Sequence, residues 1–365
     1  MRILFSSAFA TGVNVGISSY IRRLVPKLAR LCELTVLTPD PELFSGTART
    51  VRIPSWTRSH LGRVVWTAVF LQYYCTRNFD ALLCPTPVVP VNSPLPTAAI
   101  VHDLTPLMLP RLHSSRMKSL FWLALQSLRW ADSVITDSAS TKGDLAAYNK
   151  LVPSERITVV GAGPGILSDV QDSSLAARLT PYVLYVGGHA RHKNLPRLIA
   201  AFARLPVTPS LKLVITGWSK PELIAHTKKA VQRFGLQQRV AIISDHLRDA
   251  ELSGLYSNCS AFVYPSLYEG FGLPVLEALA RGAPVACSRS SSLPEVAGDA
   301  ALYFDPESID DIATKLQTII SCTETAVELR RRGPERASQF SWQKTAQETY
   351  RVLQGLAVGT RSSGG

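Results

Sequence analysis

Short apolar, β-branched runs alternate with helix-period patterns from one end of the chain to the other, and this alternation constrains the fold more than any other feature. Parallel strands need a crossover between them and are buried on both faces. Apolar runs separated by helical stretches therefore read as parallel sheets with helices on either side. The pattern predicts strands over residues 2–7, 34–37, 81–84, 98–101, 133–136 and 157–160. A helix is expected after the first strand, where Gly16, Tyr20, Leu24 and Leu28 recur at helical spacing. The alternation pauses at Gly161-Ala162-Gly163-Pro164-Gly165 and through a polar, aperiodic stretch to Thr180. It restarts with strands over 182–186, 212–216, 260–264, 284–286 and 301–304, and helices near 194–204, after Pro221, over 326–337 and over 342–356.

A chain of 365 residues exceeds one comfortable hydrophobic core. Two doubly wound, Rossmann-like α/β lobes are expected, residues 1–165 and 166–340, facing a central cleft. Residues 341–365 are expected to form a helix crossing back to the first lobe, with a frayed polar tail from Thr360. With 46% apolar and 18% charged residues, intrinsic disorder is excluded for most of the chain. The net charge of +12 comes mostly from scattered arginines without dense basic blocks; it implies a basic surface but not its partner, for which a nucleotide diphosphate, a lipid phosphate in the acceptor, the cytoplasmic face of a membrane and nucleic acid are the anionic candidates. Nucleic acid ranks last, since no zinc-ligand spacing or aromatic RNA-binding pattern accompanies the charge. The six cysteines, at 32, 75, 84, 259, 287 and 322, show no C-x-x-C pair and read as thiols of a reducing cytosol. The N-terminus lacks the apolar core of a signal peptide. The longest apolar run, 64–70, falls short of the roughly 20 residues that span a bilayer. A cytoplasmic protein is expected, soluble or at the inner face of the membrane.

In doubly wound sheets, ligands bind outside the carboxyl ends of the strands. At one such end, the strand closing on Tyr264 runs through Pro265-Ser266-Leu267-Tyr268-Glu269-Gly270-Phe271-Gly272 into a helix beginning Leu273-Pro274-Val275-Leu276-Glu277. Pro274 suits a first helical turn. The N–H groups of Gly270, Phe271 and Gly272, with the positive end of the helix dipole, favour a phosphate or a polar sugar. Glu269 and Glu277, eight residues apart, can address two parts of one ligand, such as a sugar and a ribose.

This segment resembles the E-x7-E signature of retaining glycosyltransferases of the GT-B fold, in the large family 4 (glycosyl transferases group 1) that includes bacterial mannosyl- and glucosyltransferases. Two further segments resemble the same family: Tyr182-Val183-Leu184-Tyr185-Val186-Gly187-Gly188 followed by His192-Lys193-Asn194-Leu195, and the late loop running from Ser291-Ser292-Leu293-Pro294-Glu295 to Ala301. The resemblance implies that Glu269 contacts the donor sugar, that Glu277 holds ribose hydroxyls and that Lys193 neutralises the diphosphate, with the backbone of Gly270, Phe271, Gly272 and Leu273 completing the donor site. Where many members carry an arginine directly after the strand, this chain has Gly188. A second phosphate cation therefore comes from Arg191, from His192, or is missing. The family places a histidine in the first lobe across from the donor sugar, which assigns that role by resemblance to His102, with Asp103 orienting nearby groups. Gly12-Val13-Asn14-Val15-Gly16 resembles the glycine loop lining the family's cleft, with Gly16 a donor-side residue of no chemical role. Asp137 and Ser138 are expected to cap the helix that starts near Ala139.

The activity so implied is retaining transfer of a hexose, mannose favoured, from a nucleotide-diphosphate sugar such as GDP-mannose to a glycan or lipid-linked acceptor in cell-surface polysaccharide synthesis. Lys193 and a helix N-terminus can stabilise the leaving diphosphate without a metal. No Asp-x-Asp triplet occurs in the chain, and no cofactor is expected beyond the nucleotide sugar as co-substrate. A nucleotide-sugar epimerase on the same fold and a silent nucleotide-sugar-binding subunit are the alternatives. The glutamate spacing argues against the first, and the retained Glu269, Glu277, Lys193 and His102 argue against the second. Finally, Arg63, Trp66, Phe70, Tyr74 and Arg77 recur at helical spacing, as does a core stripe of Met117, Leu120, Phe121, Ala124, Leu125 and Leu128 that leaves Lys118, Trp122 and Arg129 on another face. Basic and aromatic residues together suit the headgroup region of anionic lipid.

Overall fold

Thirteen strands, all in parallel pairings, form two sheets in the computed structural model, which describes residues 1–8, 16–76, 78–165, 170–206, 210–245 and 247–362. The chain divides into two compact units, Met1–Gly163 with Ser341–Gly365, and Pro164–Phe340.

In the first unit seven strands run in the order β3-β2-β1-β4-β5-β6-β7. They are β1 (Arg2–Ser6), β2 (Glu33–Thr38), β3 (Arg49–Arg52), β4 (Ala81–Cys84), β5 (Thr97–Val101), β6 (Ser133–Thr136) and β7 (Ile157–Val159). Ile3, Leu4 and Phe5 of β1 are fully covered, as are all four residues of β4, because helices pack on both faces. The helix Trp342–Ser362 belongs to this unit: it packs on the helix Ile17–Leu28, the Trp342 indole meets the Tyr20 ring edge-on at 5.1 Å, and the Thr345 hydroxyl donates to the Gly161 carbonyl at 2.7 Å. Helical geometry continues to Ser362, past the point where fraying was expected at Thr360.

The second unit carries six strands in the order β10-β9-β8-β11-β12-β13: β8 (Tyr182–Val186), β9 (Lys212–Thr216), β10 (Val240–Ile243), β11 (Ala261–Tyr264), β12 (Val285–Ser288) and β13 (Ala301–Phe304). Strand order reverses between β8 and β11, so the loops that follow these two strands lie side by side at the carboxyl edge. Such a reversal opens a crevice over the strand ends, the usual ligand position in doubly wound sheets.

Four expectations change. Strands β3 and β10 form sheet edges where none was expected, and the aperiodic stretch before Thr180 contains a helix, Ser174–Leu179. The 63–77 stripe does not stay on one face. Helix His60–Val65 gives way to a π-helical turn, Trp66–Phe70, and then to a 3-10 turn, Leu71–Tyr74, so the angle per residue changes twice. Trp66 enters the core and meets Tyr74 at 5.8 Å between ring centres while Phe70 faces outward; Arg77 lies outside the described residues. On helix Ser115–Ser127 only the carboxyl half of the expected stripe is buried, through Leu125 and then Leu128, and Met117 is exposed.

Candidate functional site

The loop after β11 is held in place from a neighbouring loop. The Ser292 hydroxyl donates to the carbonyls of Glu269 (3.1 Å) and Phe271 (2.9 Å), and the Glu269 N–H donates to Ser291 Oγ at 2.8 Å. Ser288 Oγ donates to the Ser266 carbonyl at 2.6 Å. The helix Leu273–Ala280 then starts from Gly272 at φ 104°, with Pro274 in its first turn. Only glycine adopts that φ readily, and a Cβ there would stand 2.5 Å from Leu293 Cδ2. The N–H groups of Phe271 and Gly272 make no hydrogen bond to the described residues. The helix start therefore keeps donors for an anion or hydroxyl.

Beside it, the loop after β8 closes in a 3-10 turn, Arg191–Lys193. Asn194 follows in the left-handed region at φ 60°, an uncommon conformation that costs about 1 kcal/mol outside glycine. Its amide holds the turn by donating to the carbonyls of Pro265 (3.1 Å) and Pro306 (2.7 Å), and the Leu267 N–H donates to the His192 carbonyl at 2.8 Å. These bonds tie the two loops into one piece.

The result is that Lys193 meets Glu269. Its ammonium donates to Glu269 Oε1 at 2.6 Å and to the Tyr264 hydroxyl at 2.8 Å, and lies 5.2 Å from the Tyr264 ring centre. Both side chains are largely covered, at 16% and 12% exposure. Burial alone would push the Glu269 carboxyl up; the charges of Lys193 and His192, with hydrogen bonds from Lys193 and Ser266, outweigh it and hold Glu269 below its ordinary value. Burial and the Glu269 charge hold Tyr264 far above the usual tyrosine value, so it stays a neutral phenol.

Glu277 lies on the same helix, half-buried, and accepts from the Tyr256 hydroxyl at 2.8 Å. Gly188 is half-buried, its carbonyl accepting from Tyr185 Oη at 2.8 Å. Arg191 is exposed and His192 half-buried, the latter close enough to act on Glu269. Gly270 and Phe271 are buried and Leu273 is half-buried. The predicted second-unit residues thus gather along the carboxyl edges of β8 and β11.

In the first unit, the expected glycine loop at 12–15 lies outside the described residues. Gly16, at φ 53°, precedes the helix Ile17–Leu28; a Cβ there would meet none of the described residues within 4 Å, and its backbone conformation calls for glycine. His102 stands at the end of β5 with both ring nitrogens engaged: Nδ1 is 2.6 Å from Asp137 Oδ2 and Nε2 is 3.1 Å from the Pro85 carbonyl. The Asp137 carboxylate only accepts, so Nδ1 donates to it. Burial, the largest influence, favours the neutral ring. The Asp137 charge and hydrogen bond, with Asp103 and the Pro85 carbonyl, prevail and raise the His102 pKa above its ordinary value. Asp137 therefore serves His102 and does not cap the next helix; Ser138 alone does so, accepting from the Thr141 N–H at 3.0 Å. Asp137 Oδ1 and the Tyr20 hydroxyl are buried with no hydrogen-bond partner among the described residues, and the Tyr20 ring meets His102 edge-on at 4.7 Å. Asp103 accepts from the Thr105 N–H at 2.9 Å.

Tyr264, Tyr256, Ser291, Ser292, Asn194 and Asp137 were not singled out as site residues from sequence. Asn194, Ser291 and Ser292 sit inside segments that carry the family resemblance and Tyr264 closes the strand before one; Tyr256 and Asp137 act across distances in sequence that leave no local pattern.

A model described as Glycosyl transferases group 1 matches residues 170–336, and one described as Glycosyltransferase Family 4 matches residues 15–163. Among curated proteins, the serotype-specific mannosyltransferase WbdA of Escherichia coli is 29% identical over 70% of this chain and 33% of its own length. The O-antigen chain mannosyltransferase B of Escherichia coli is 36% identical over 47% of this chain and 46% of its own. The chain thus spans between a third and a half of the length of these relatives. Among solved structures, sucrose-phosphate synthase from Thermosynechococcus elongatus superposes with a TM-score of 0.81 at 21% identity, covering 98% of this chain and 99% of that one. WaaG, a glycosyltransferase involved in lipopolysaccharide biosynthesis, follows at 0.74 and 16%, covering 97% and 100%. At such identities these two superpositions speak for the fold alone.

Proposed function

Because the chain belongs to the glycosyltransferases that join a family 4 domain to a group 1 domain on the GT-B fold, we propose that it moves a hexose, mannose favoured, from a nucleotide-diphosphate sugar to a glycan or lipid-linked acceptor in cell-surface polysaccharide synthesis. The mannosyltransferase names of the curated relatives support the sugar. The observation that carries the reading is the Lys193–Glu269 pair set beside the glycine-lined helix start at Gly272, with Glu277 farther along the same helix.

A donor's diphosphate competes for the Lys193 ammonium, and the Phe271 and Gly272 N–H groups face the same anionic charge. Glu269, released from part of its pairing, accepts from the sugar hydroxyls, and Glu277 accepts from the ribose. As the bond between the anomeric carbon and the phosphate oxygen breaks, its electron pair stays on the diphosphate, where Lys193 and the helix start stabilise it without a metal or other cofactor. The acceptor hydroxyl forms the new bond on the same face and passes its proton to the leaving phosphate, which retains the anomeric configuration.

The acceptor side of the reading includes an anionic lipid surface at the inner face of the cytoplasmic membrane. Its support is in the first unit, where Leu61, Val69, Phe70 and Tyr73 are exposed, as are Met117, Trp122 and Leu123 on the helix that carries Lys118. Among the described residues no helix is long and apolar enough to cross a membrane.

The test is transfer from GDP-, UDP- and ADP-sugars to a lipid-linked or oligosaccharide acceptor, with the product anomer read by NMR. Sugar transfer with retention supports the proposal; an inverted product, or no turnover of any donor, overturns it.

A further inference from the structure

We infer that Tyr256 and Gly165 aim the Glu277 carboxylate, and that through this aim they set the selection for a donor with an intact ribose diol. The inference rests on the reading of Glu277 as the ribose ligand.

Tyr256 lies on the helix Asp249–Asn258, with its side chain fully buried and its ring tilted against Phe262 at 5.4 Å. Its hydroxyl donates to Glu277 Oε2 at 2.8 Å. Burial first, and then Glu277 itself, hold this phenol far above its ordinary pKa, so it remains a donor at every working pH. A glutamate side chain has three torsions to place, and one buried, charge-assisted hydrogen bond removes much of that freedom.

Gly165 constrains the other oxygen. A Cβ built on Gly165 would stand 1.8 Å from Glu277 Oε1 and 3.0 Å from Cδ, so the bare backbone at 165 lies directly against the carboxylate. Glycine is demanded here by space and not by a left-handed φ, since Gly165 has none. One oxygen is thus held by a phenol and the other is bounded by a backbone with no side chain. Two vicinal hydroxyls need both carboxylate oxygens in one plane and at one height, and a rotation about the last torsion misplaces one of them. Tyr256 and Gly165 are positioning residues: they touch Glu277 and act on the ligand through it.

The test measures dissociation constants by calorimetry for GDP, UDP, ADP and their 2′-deoxy counterparts with the full chain. The wild type is expected to bind the best ribonucleotide roughly tenfold tighter than its 2′-deoxy form, the value of one hydrogen bond to a charged group. Tyr256→Phe keeps the ring packing and is expected to weaken the ribonucleotide roughly tenfold while leaving the deoxy form within about twofold, erasing the discrimination. Gly165→Ala is expected to do the same by displacing the carboxylate, with Gly165→Ser more severe. Equal weakening of both nucleotides, or none, in Tyr256→Phe overturns the inference. Glu277→Ala separates the two failures: if it weakens the ribonucleotide selectively while Tyr256→Phe does not, positioning falls and the ribose role stands; if it changes nothing, the ribose role itself falls.

Discussion

The Lys193 ammonium lies 2.6 Å from Glu269 Oε1, a pair formed by two loops 76 residues apart and brought together by the strand reversal between β8 and β11. The Lys193 charge helps hold Glu269 below its ordinary value in a covered place, so neither charge is buried alone. Under the proposed function, a donor that drew Lys193 away would expose Glu269 to the sugar at the same moment and so couple phosphate binding to sugar binding.

Lys193→Ala is expected to lower kcat by at least about 100-fold, since it removes charge facing the leaving diphosphate. It should also lower stability by roughly 3–5 kcal/mol at neutral pH, because Glu269 is left charged and nearly covered. Glu269→Gln in the same background is expected to restore much of the melting temperature but none of the turnover. Differential scanning calorimetry and a donor-turnover assay check the two halves separately.

The two ion pairs give opposite pH signatures. Glu269 has a lowered folded-state pKa, so its contribution is present above the unfolded value of about 4.3 and is lost as pH falls through the folded one. His102 has a raised folded-state pKa, so its contribution is complete below about 6.5 and is lost as pH rises through the folded value. Asp137→Asn is expected to flatten the alkaline limb of the melting-temperature profile and leave the acid limb alone. Two ring N–H signals for His102 in nitrogen-15 NMR at pH 6, reduced to one in this variant, would report the imidazolium directly.

Two glycines at positive φ are expected to differ sharply. Gly16→Ala meets none of the described residues within 4 Å and should cost about 1–3 kcal/mol of backbone strain at φ 53°, ψ −125°. Gly272→Ala adds a 2.5 Å approach to Leu293 and tilts the helix start, so donor binding should fall along with stability. Urea denaturation and nucleotide titration of both variants check this contrast.

Ser138→Ala removes a helix cap within the first unit and should cost about 1 kcal/mol without altering donor affinity. Trp122→Ala with Leu123→Glu, on an exposed face, should leave the melting temperature within about 2 °C and abolish sedimentation with vesicles of anionic phospholipid at low salt. Unchanged sedimentation would remove the lipid surface from the reading and leave sugar transfer in place.

The central strands were legible because burial on both faces makes them uniformly apolar. Residues 81–84, 133–136 and 182–186 match to the residue. Strand β3, Arg-Thr-Val-Arg, was not, since an edge strand with charged ends has no such signature. The stripe at 63–77 misled because a constant helical angle was assumed across a π turn. In the site, Lys193 and the two glutamates were legible through family resemblance. The hydroxyls that hold them were not: Tyr256 reaches Glu277 from 21 residues away and Ser292 reaches Phe271 from the same separation, and no local periodicity encodes a hydrogen bond across a sheet. Asp137 was misassigned because a strand-end aspartate before a helix looks like a cap until its partner on β5 is seen.

The bond from Thr345 to the Gly161 carbonyl, and the 2.4 Å that a Cβ on Gly163 would leave to the Trp342 nitrogen, make the last helix a structural part of the first half. Anyone grafting this chain's second unit onto another protein's first unit has to split the gene at two places. The graft ends at Phe340, and the recipient keeps its own closing helix, because a single crossover near Gly163 would leave each first unit packed on a foreign helix.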